Sequence, residues 1–194
     1  MIHDFTSATQ AVLRFLRQQF GFDLWMLTRT EGNDWIVLAA EDRHYGVQPG
    51  AVFRWSDSFC SRMVQGLGPR ITPRVAAVPA YTEAPIAQAL PIGAYVGIPL
   101  NRKDGSLFGT LCAIDPKPQP ENIAEKQEMV ELLADLLNSL LNAELTATEA
   151  TRRAERAEVE ATRDGLTSLY NRAAGTGCSI ARKRVRSATA IRPA

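Results

Sequence analysis

Cys60, in the stretch SDSFCSRMVQGLG, and Cys112, in GTLCAID, are the side chains here whose type allows nucleophilic chemistry. A thiol works that way only when it is exposed, acidified by its neighbours and within reach of a resolving partner. Without those conditions a cysteine on a short helix or in mid-strand is a small hydrophobe. The third cysteine, Cys178, lies far from both, and three widely separated cysteines fit reduced thiols better than a disulfide framework. No CxxC occurs, and His3 and His44 are the two histidines, so no metal site is assigned. The GTG at 175–177 follows no strand and lacks the spacing of a phosphate loop. Arg182, Lys183, Arg184, Arg186 and Arg192, with no acidic residue among them, read as a disordered basic end. Such an end supports salt-sensitive, nonspecific contact, so no specific nucleic-acid partner is expected.

The chain has 194 residues, 45% hydrophobic and 22% charged, with net charge +1, which suits one soluble core plus appended elements. Its longest apolar runs, AYVGIPL and WIVLAA, fall far short of the roughly 20 residues that span a bilayer. The N-terminal MIHDFTSATQ has neither the basic start nor the apolar core of a signal peptide. A cytoplasmic protein without a membrane partner is the expectation.

Several elements must position any site. SATQAVLRFLRQQFGF places Leu13, Leu16 and Phe20 at helical spacing behind Ser7, a plausible N-cap with Gln10 three residues on. DLWMLTRT and DWIVLAAED, joined by EGN, read as a hairpin. Ser56 would cap a short helix that Gly66 and Gly68 end. Residues 69–92, interrupted by prolines, read as a long ordered loop with short helices, a kind of segment that shapes sites. AYVGIPL and LFGTLCAID flank a reversal at Asp104-Gly105. Period-two reading puts Phe108, Thr110, Cys112 and Ile114 on one face and Leu107, Gly109, Leu111 and Ala113 on the other. Both faces are apolar or small, so the sheet must be covered twice. Helices can cover one side and the proline-rich loops the other, with room for a cavity beneath.

SDSFCSRMVQG, YVGIPL, DGSLFGTLCAID and the helix after them, taken in this order, resemble the GAF sensory domain over most of residues 5–145. The resemblance implies an α+β fold: a central antiparallel sheet, helices on one face, and a loop-covered small-molecule pocket on the other. It leaves the ligand and any cofactor unknown, because this fold holds cyclic nucleotides, bilins, haem, small metabolites or nothing. Trp55, Cys60, Tyr81, Tyr95 and Cys112 are the candidate ligand-binding residues; the three aromatics serve equally well as core, and cysteines so placed are more often small buried hydrophobes than reactive thiols. Bilin-binding members attach their chromophore through a cysteine in a histidine-associated setting, and neither Cys60 nor Cys112 has a histidine beside it.

From Glu125 to Arg163 a heptad seam runs through Met129, Leu133, Leu136, Leu140, Ala143 and Ala147, and continues through Ala150, Ala154, Ala157 and Ala161. It predicts a continuous helix of about 40 residues. Val130, Leu132, Leu137 and Leu141 widen the stripe in the first half, enough to cover the sheet and meet a partner as well. Parallel homodimerisation as a coiled coil is the expectation. The alanine half, burying little area at roughly 25 cal/mol per Å², would couple weakly.

The helix leads into DGLTSLYNR, similar to the D-x-L-T-G-L-x-N-R line that opens GGDEF diguanylate cyclase domains, with Ser168 in place of the glycine. The glycine-acidic signature loop and the magnesium carboxylates of such a domain do not follow it. The organisation expected is a GAF-like domain at 1–145, its last helix starting near 124, a signalling helix at 146–163, the start of a GGDEF-like domain at 164–172, and a basic tail at 173–194. The function expected is a non-enzymatic, ligand-sensing and dimerising regulatory module related to diguanylate cyclases and cyclic di-GMP signalling, without the catalytic output domain and without catalytic residues. The alternative is a thiol enzyme, since some members of this fold reduce free methionine sulfoxide.

Overall fold

The computed structural model describes residues 4–162, and the chain divides into two units, Met1–Glu144 and Leu145–Ala194. Helix α1 (Phe5–Phe20) begins two residues before Ser7. Asp4 is the N-cap: its carboxylate accepts the Ser7 N–H at 2.7 Å, and the Ser7 hydroxyl accepts the Asp4 N–H at 3.2 Å. The reciprocal pair satisfies two otherwise orphaned donors, so Ser7 sits inside the helix rather than before it. Leu13, Leu16 and Phe20 form its buried stripe.

Strands β1 (Leu24–Glu31) and β2 (Asp34–Asp42) make the expected hairpin, and the edge strand β3 (Val52–Arg54) adds to β2. Helix α2 (Phe59–Val64) is capped by Ser58, whose hydroxyl accepts the Ser61 N–H at 3.0 Å, in place of the expected Ser56. Ser56 instead lies in a single 3-10 turn, Trp55–Asp57. The proline-rich stretch holds strand β4 (Ile71–Thr72) and the short helices α3 (Pro79–Thr82) and α4 (Pro85–Ala89). Strands β5 (Ala94–Asn101) and β6 (Leu107–Asp115) flank the turn, where Gly105 takes φ 83°. A 3-10 segment, Glu121–Lys126, leads into helix α5 (Gln127–Thr162).

The strands form one antiparallel sheet in the order β3-β2-β1-β6-β5-β4. On one face Trp25 meets Phe20 of α1, ring centroids 5.4 Å apart. The 3-10 segment and the first half of α5 lie beside α1, with Lys126 over the Phe20 ring at 5.0 Å and Glu144 accepting the Phe5 N–H at 3.1 Å. Arg70, next to β4, pairs with Glu131 of α5 at 2.6 Å. The opposite face carries Leu24, Met26, Trp35, Val37, Tyr95, Cys112 and Ile114 under α2, α3 and the surrounding loops.

Phe108 departs from the period-two reading. The β5–β6 register shifts between Leu100 and Asn101, leaving an extra residue on β6. That bulge turns Phe108 away from Cys112 and Ile114 and onto Phe5 of α1, 6.5 Å between centroids.

A stripe of Val130, Ala134, Leu137 and Leu141 is the buried face of α5. Leu132 and Leu136 stay 60% and 58% exposed, with Met129, Leu133 and Leu140 half-buried at the edges. Ala143 and Ala147 are exposed. In the second unit, Glu149 and Arg153 pair at 3.5 Å along the same helix. DGLTSLYNR and the tail at 173–194 lie outside the described residues. No helix among the described residues is long and apolar enough to cross a membrane.

Gly109 sits where β6 crosses closest to β1: a Cβ there would lie 1.8 Å from the Thr28 carbonyl oxygen. Backbone cannot yield as a side chain does, so Gly109→Ala should lower stability by about 3 kcal/mol. Gly105→Ala meets open space and should lose about 1–2 kcal/mol through its positive φ alone. Urea unfolding midpoints of the two variants test the order, and a larger loss for Gly105→Ala would contradict it.

Candidate functional site

Leu24 and Met26 of β1 and Trp35 of β2 face the loops and help build a cavity of about 430 Å³. Leu24, Met26, Trp35 and Ile114 form its sheet wall, and Ile86, Ala89 and Leu90 from α4 and its C-cap form its roof. Phe53 and Arg54 of β3, with Asp57 of the following turn, stand at the side. The volume falls within the usual range of about 300–1,000 Å³ for small-molecule sites. Trp35 is fixed by its neighbours: its Nε1–H donates to Thr28 Oγ1 at 2.8 Å, and Phe53 and Trp55 rings lie 6.1 and 6.3 Å away.

A smaller void of about 20 Å³ lies further in and shares Met26, Trp35, Ile86 and Ile114 with the large one. Cys60, Cys112, Tyr95 and Phe59 close its inner side. The Tyr95 hydroxyl donates to Cys60 Sγ at 3.3 Å, and Thr110 Oγ1 lies 3.9 Å from Cys112 Sγ and 2.9 Å from Thr28 Oγ1. One buried polar chain therefore runs from Trp35 through two threonines to the thiols. Burial pushes the Cys112 thiol well above its ordinary range, with the Cys60 sulfur adding to the effect. Burial also opposes ionisation of Cys60, but the hydrogen bonds from Cys112, Thr110 and Tyr95 outweigh it and hold that thiol lower. Burial, then the Cys60 sulfur, raises the Tyr95 phenol well above its ordinary value.

The five candidate residues thus fall behind or beside the large cavity rather than on its wall. Cys60, Tyr95 and Cys112 line the inner void. Tyr81, fully buried, stacks on Phe59 at 4.9 Å, meets Tyr95 edge-on at 5.0 Å, and donates its hydroxyl to the Pro69 carbonyl. Trp55, half-buried, backs Trp35. The cavity has the expected roof from the 69–92 loop and Ile114 of the 94–115 hairpin on its wall, but the aromatic cluster fills the space around Tyr81 and Tyr95, so the rest of the wall comes from β1, β2 and β3. Trp35 and Met26 were missed as site residues, although the inward phase of the first hairpin marks both.

An antiparallel sheet with helices on one face and a loop-roofed cavity on the other defines a layered α+β domain. The chain belongs to the GAF domain family, which its residues 4–141 match. It is similar in fold to the chromophore-binding domain of Stigmatella aurantiaca phytochrome P1, at 20% identity and TM-score 0.56, covering 72% of this chain and 55% of that one. The chromophore-binding domain of the R. palustris bacteriophytochrome RpBphP3 aligns at 18% identity and TM-score 0.53, covering 76% and 57%. The S. aurantiaca phytochrome photosensory core module aligns at 21% identity and TM-score 0.61, covering 82% and 37%. The chain therefore spans little more than half of these proteins at most. No curated protein matches it.

Both described thiols are 1% exposed, so access rather than acidity governs their reactivity. In a Cys178→Ser background, an aromatic disulfide reagent should label Cys60 and Cys112 rapidly in denaturant and negligibly in native buffer. Prompt native labelling of either would contradict the closed packing and revive a thiol-enzyme reading.

Proposed function

We propose that this chain is a ligand-sensing, dimerising regulatory module of a cytoplasmic signalling protein related to diguanylate cyclases, without catalytic activity of its own. The observation that carries the proposal is the apolar cavity of about 430 Å³ built on the sheet face away from α1 and α5. Ile114 stands on its wall, and β6 ends one residue later, leading through the 3-10 segment into α5. A ligand that shifts β6 acts on the base of the helix that continues toward DGLTSLYNR.

The helix supports the dimerising part. Its buried stripe leaves Leu132 and Leu136 exposed, with Met129, Leu133 and Leu140 beside them. A second copy in parallel would present the same leucines to this stripe, continuing the heptad seam. The relation to diguanylate cyclases rests on the residues of DGLTSLYNR.

Two measurements test the proposal. The purified chain, given GTP and magnesium, should make no cyclic dimeric GMP; product that persists through repurification overturns the non-enzymatic assignment. Sedimentation should find a dimer that Leu132→Glu with Leu136→Glu converts to a folded monomer, since both positions are solvent-facing in the single chain. A wild-type monomer, or a double variant that stays dimeric, removes the seam.

A further inference from the structure

The walls of the cavity restrict what can occupy it. Among the described residues lining the cavity, Trp35 is the one neutral residue with a nitrogen or oxygen in its side chain, and its N–H is already given to Thr28 at 2.8 Å. The nearby phenols are committed as well, Tyr81 to the Pro69 carbonyl and Tyr95 to Cys60. A sugar, base or phosphate placed deep in this space would lose water and gain no side-chain partner there, a cost of several kcal/mol for each neutral group and more for a charge. The body of the ligand must be apolar.

The rim is different. Among the described residues lining the cavity, Arg54 and Asp57 carry the charge. Both are held in place by the first hairpin: the Asn33 carbonyl accepts the Trp55 N–H at 2.8 Å and its side chain accepts the Ser56 N–H at 3.0 Å. Asp57 takes the Ser56 hydroxyl at 3.2 Å. Arg54 reaches Asp57 at only 4.0 Å, through Nε, with its side chain 68% exposed. Among the described residues neither terminal nitrogen of that guanidinium has a partner, and their fork matches a carboxylate.

Resting on the ligand-sensing proposal above, we propose that the cavity takes an amphiphilic organic anion. Its compact apolar body packs against Met26, Trp35, Leu90 and Ile114, and its single carboxylate-type group is held at the rim by Arg54. Polar ligands such as cyclic nucleotides are disfavoured by the same walls.

Calorimetry on the full chain, with octanoate, 1-octanol and cyclic AMP as probes, tests the class. Octanoate should bind more tightly than 1-octanol, and cyclic AMP should not bind. Arg54→Gln, an exposed edge-strand change, should weaken octanoate about tenfold, the worth of one charge-assisted hydrogen bond, and leave 1-octanol unchanged. Ala89→Trp, at an exposed helix position on the roof, should weaken both. Equal binding of acid and alcohol, or indifference of octanoate to Arg54→Gln, overturns the anion site. Cyclic AMP binding that Ala89→Trp abolishes overturns the ligand class while leaving a sensor. Binding of none of the three overturns the class, and if native mass spectrometry of the purified chain also finds no retained small molecule, the ligand-sensing proposal falls with it.

Discussion

The central strands β1, β6 and β5 are buried on both faces, and the rest of the first unit follows from that constraint. Leu24 to Thr28 are buried without interruption, as are Phe108 to Asp115. Neither face can be left to water, so a second layer is required on each side. One layer is helical and regular. The other is assembled from short turns and prolines, and loops cover a sheet less completely than helices do.

Where the loop layer closes and where it gapes is decided by its aromatic residues. Phe59, Tyr81 and Tyr95 meet within 5.5 Å of one another, and the Tyr81 hydroxyl ties α3 back to the Pro69 carbonyl. Tyr95 can lie flat along its strand because position 97 is glycine, where a Cβ would sit 1.9 Å from the phenol oxygen. This cluster fills the space over β5 and β6. Over β1 and β2 the roof is α4, five residues long with no side-chain cap, and the gap beneath it remains as the cavity. Packing at one end of the sheet thus sets the location of open space at the other.

Helix α5 carries more apolar surface than the core of its own chain takes up. Val130, Ala134, Leu137 and Leu141 follow steps of four, three and four and complete the core. Leucines at 132 and 136 lie off that line and stay mostly exposed.

Much of this was readable from local sequence. Apolar runs around short turn-former stretches marked the hairpins, helical spacing marked α1, a heptad seam marked α5, and Asp104-Gly105 marked its turn, because backbone preference and one-sided burial act over a few neighbouring residues. The order of YVGIPL, the DG turn and GTLCAID carried the family resemblance. Bulges were not readable: the extra residue that turns Phe108 onto Phe5 depends on pairing with a strand already formed. The same holds for the division of labour among aromatics. Trp35, Tyr81 and Tyr95 are alike as large, mostly apolar side chains, and nothing local distinguishes the one that lines a cavity from those that fill the core. That distinction arises from long-range contacts, since a side chain lines a cavity only when residues distant in sequence fail to cover it.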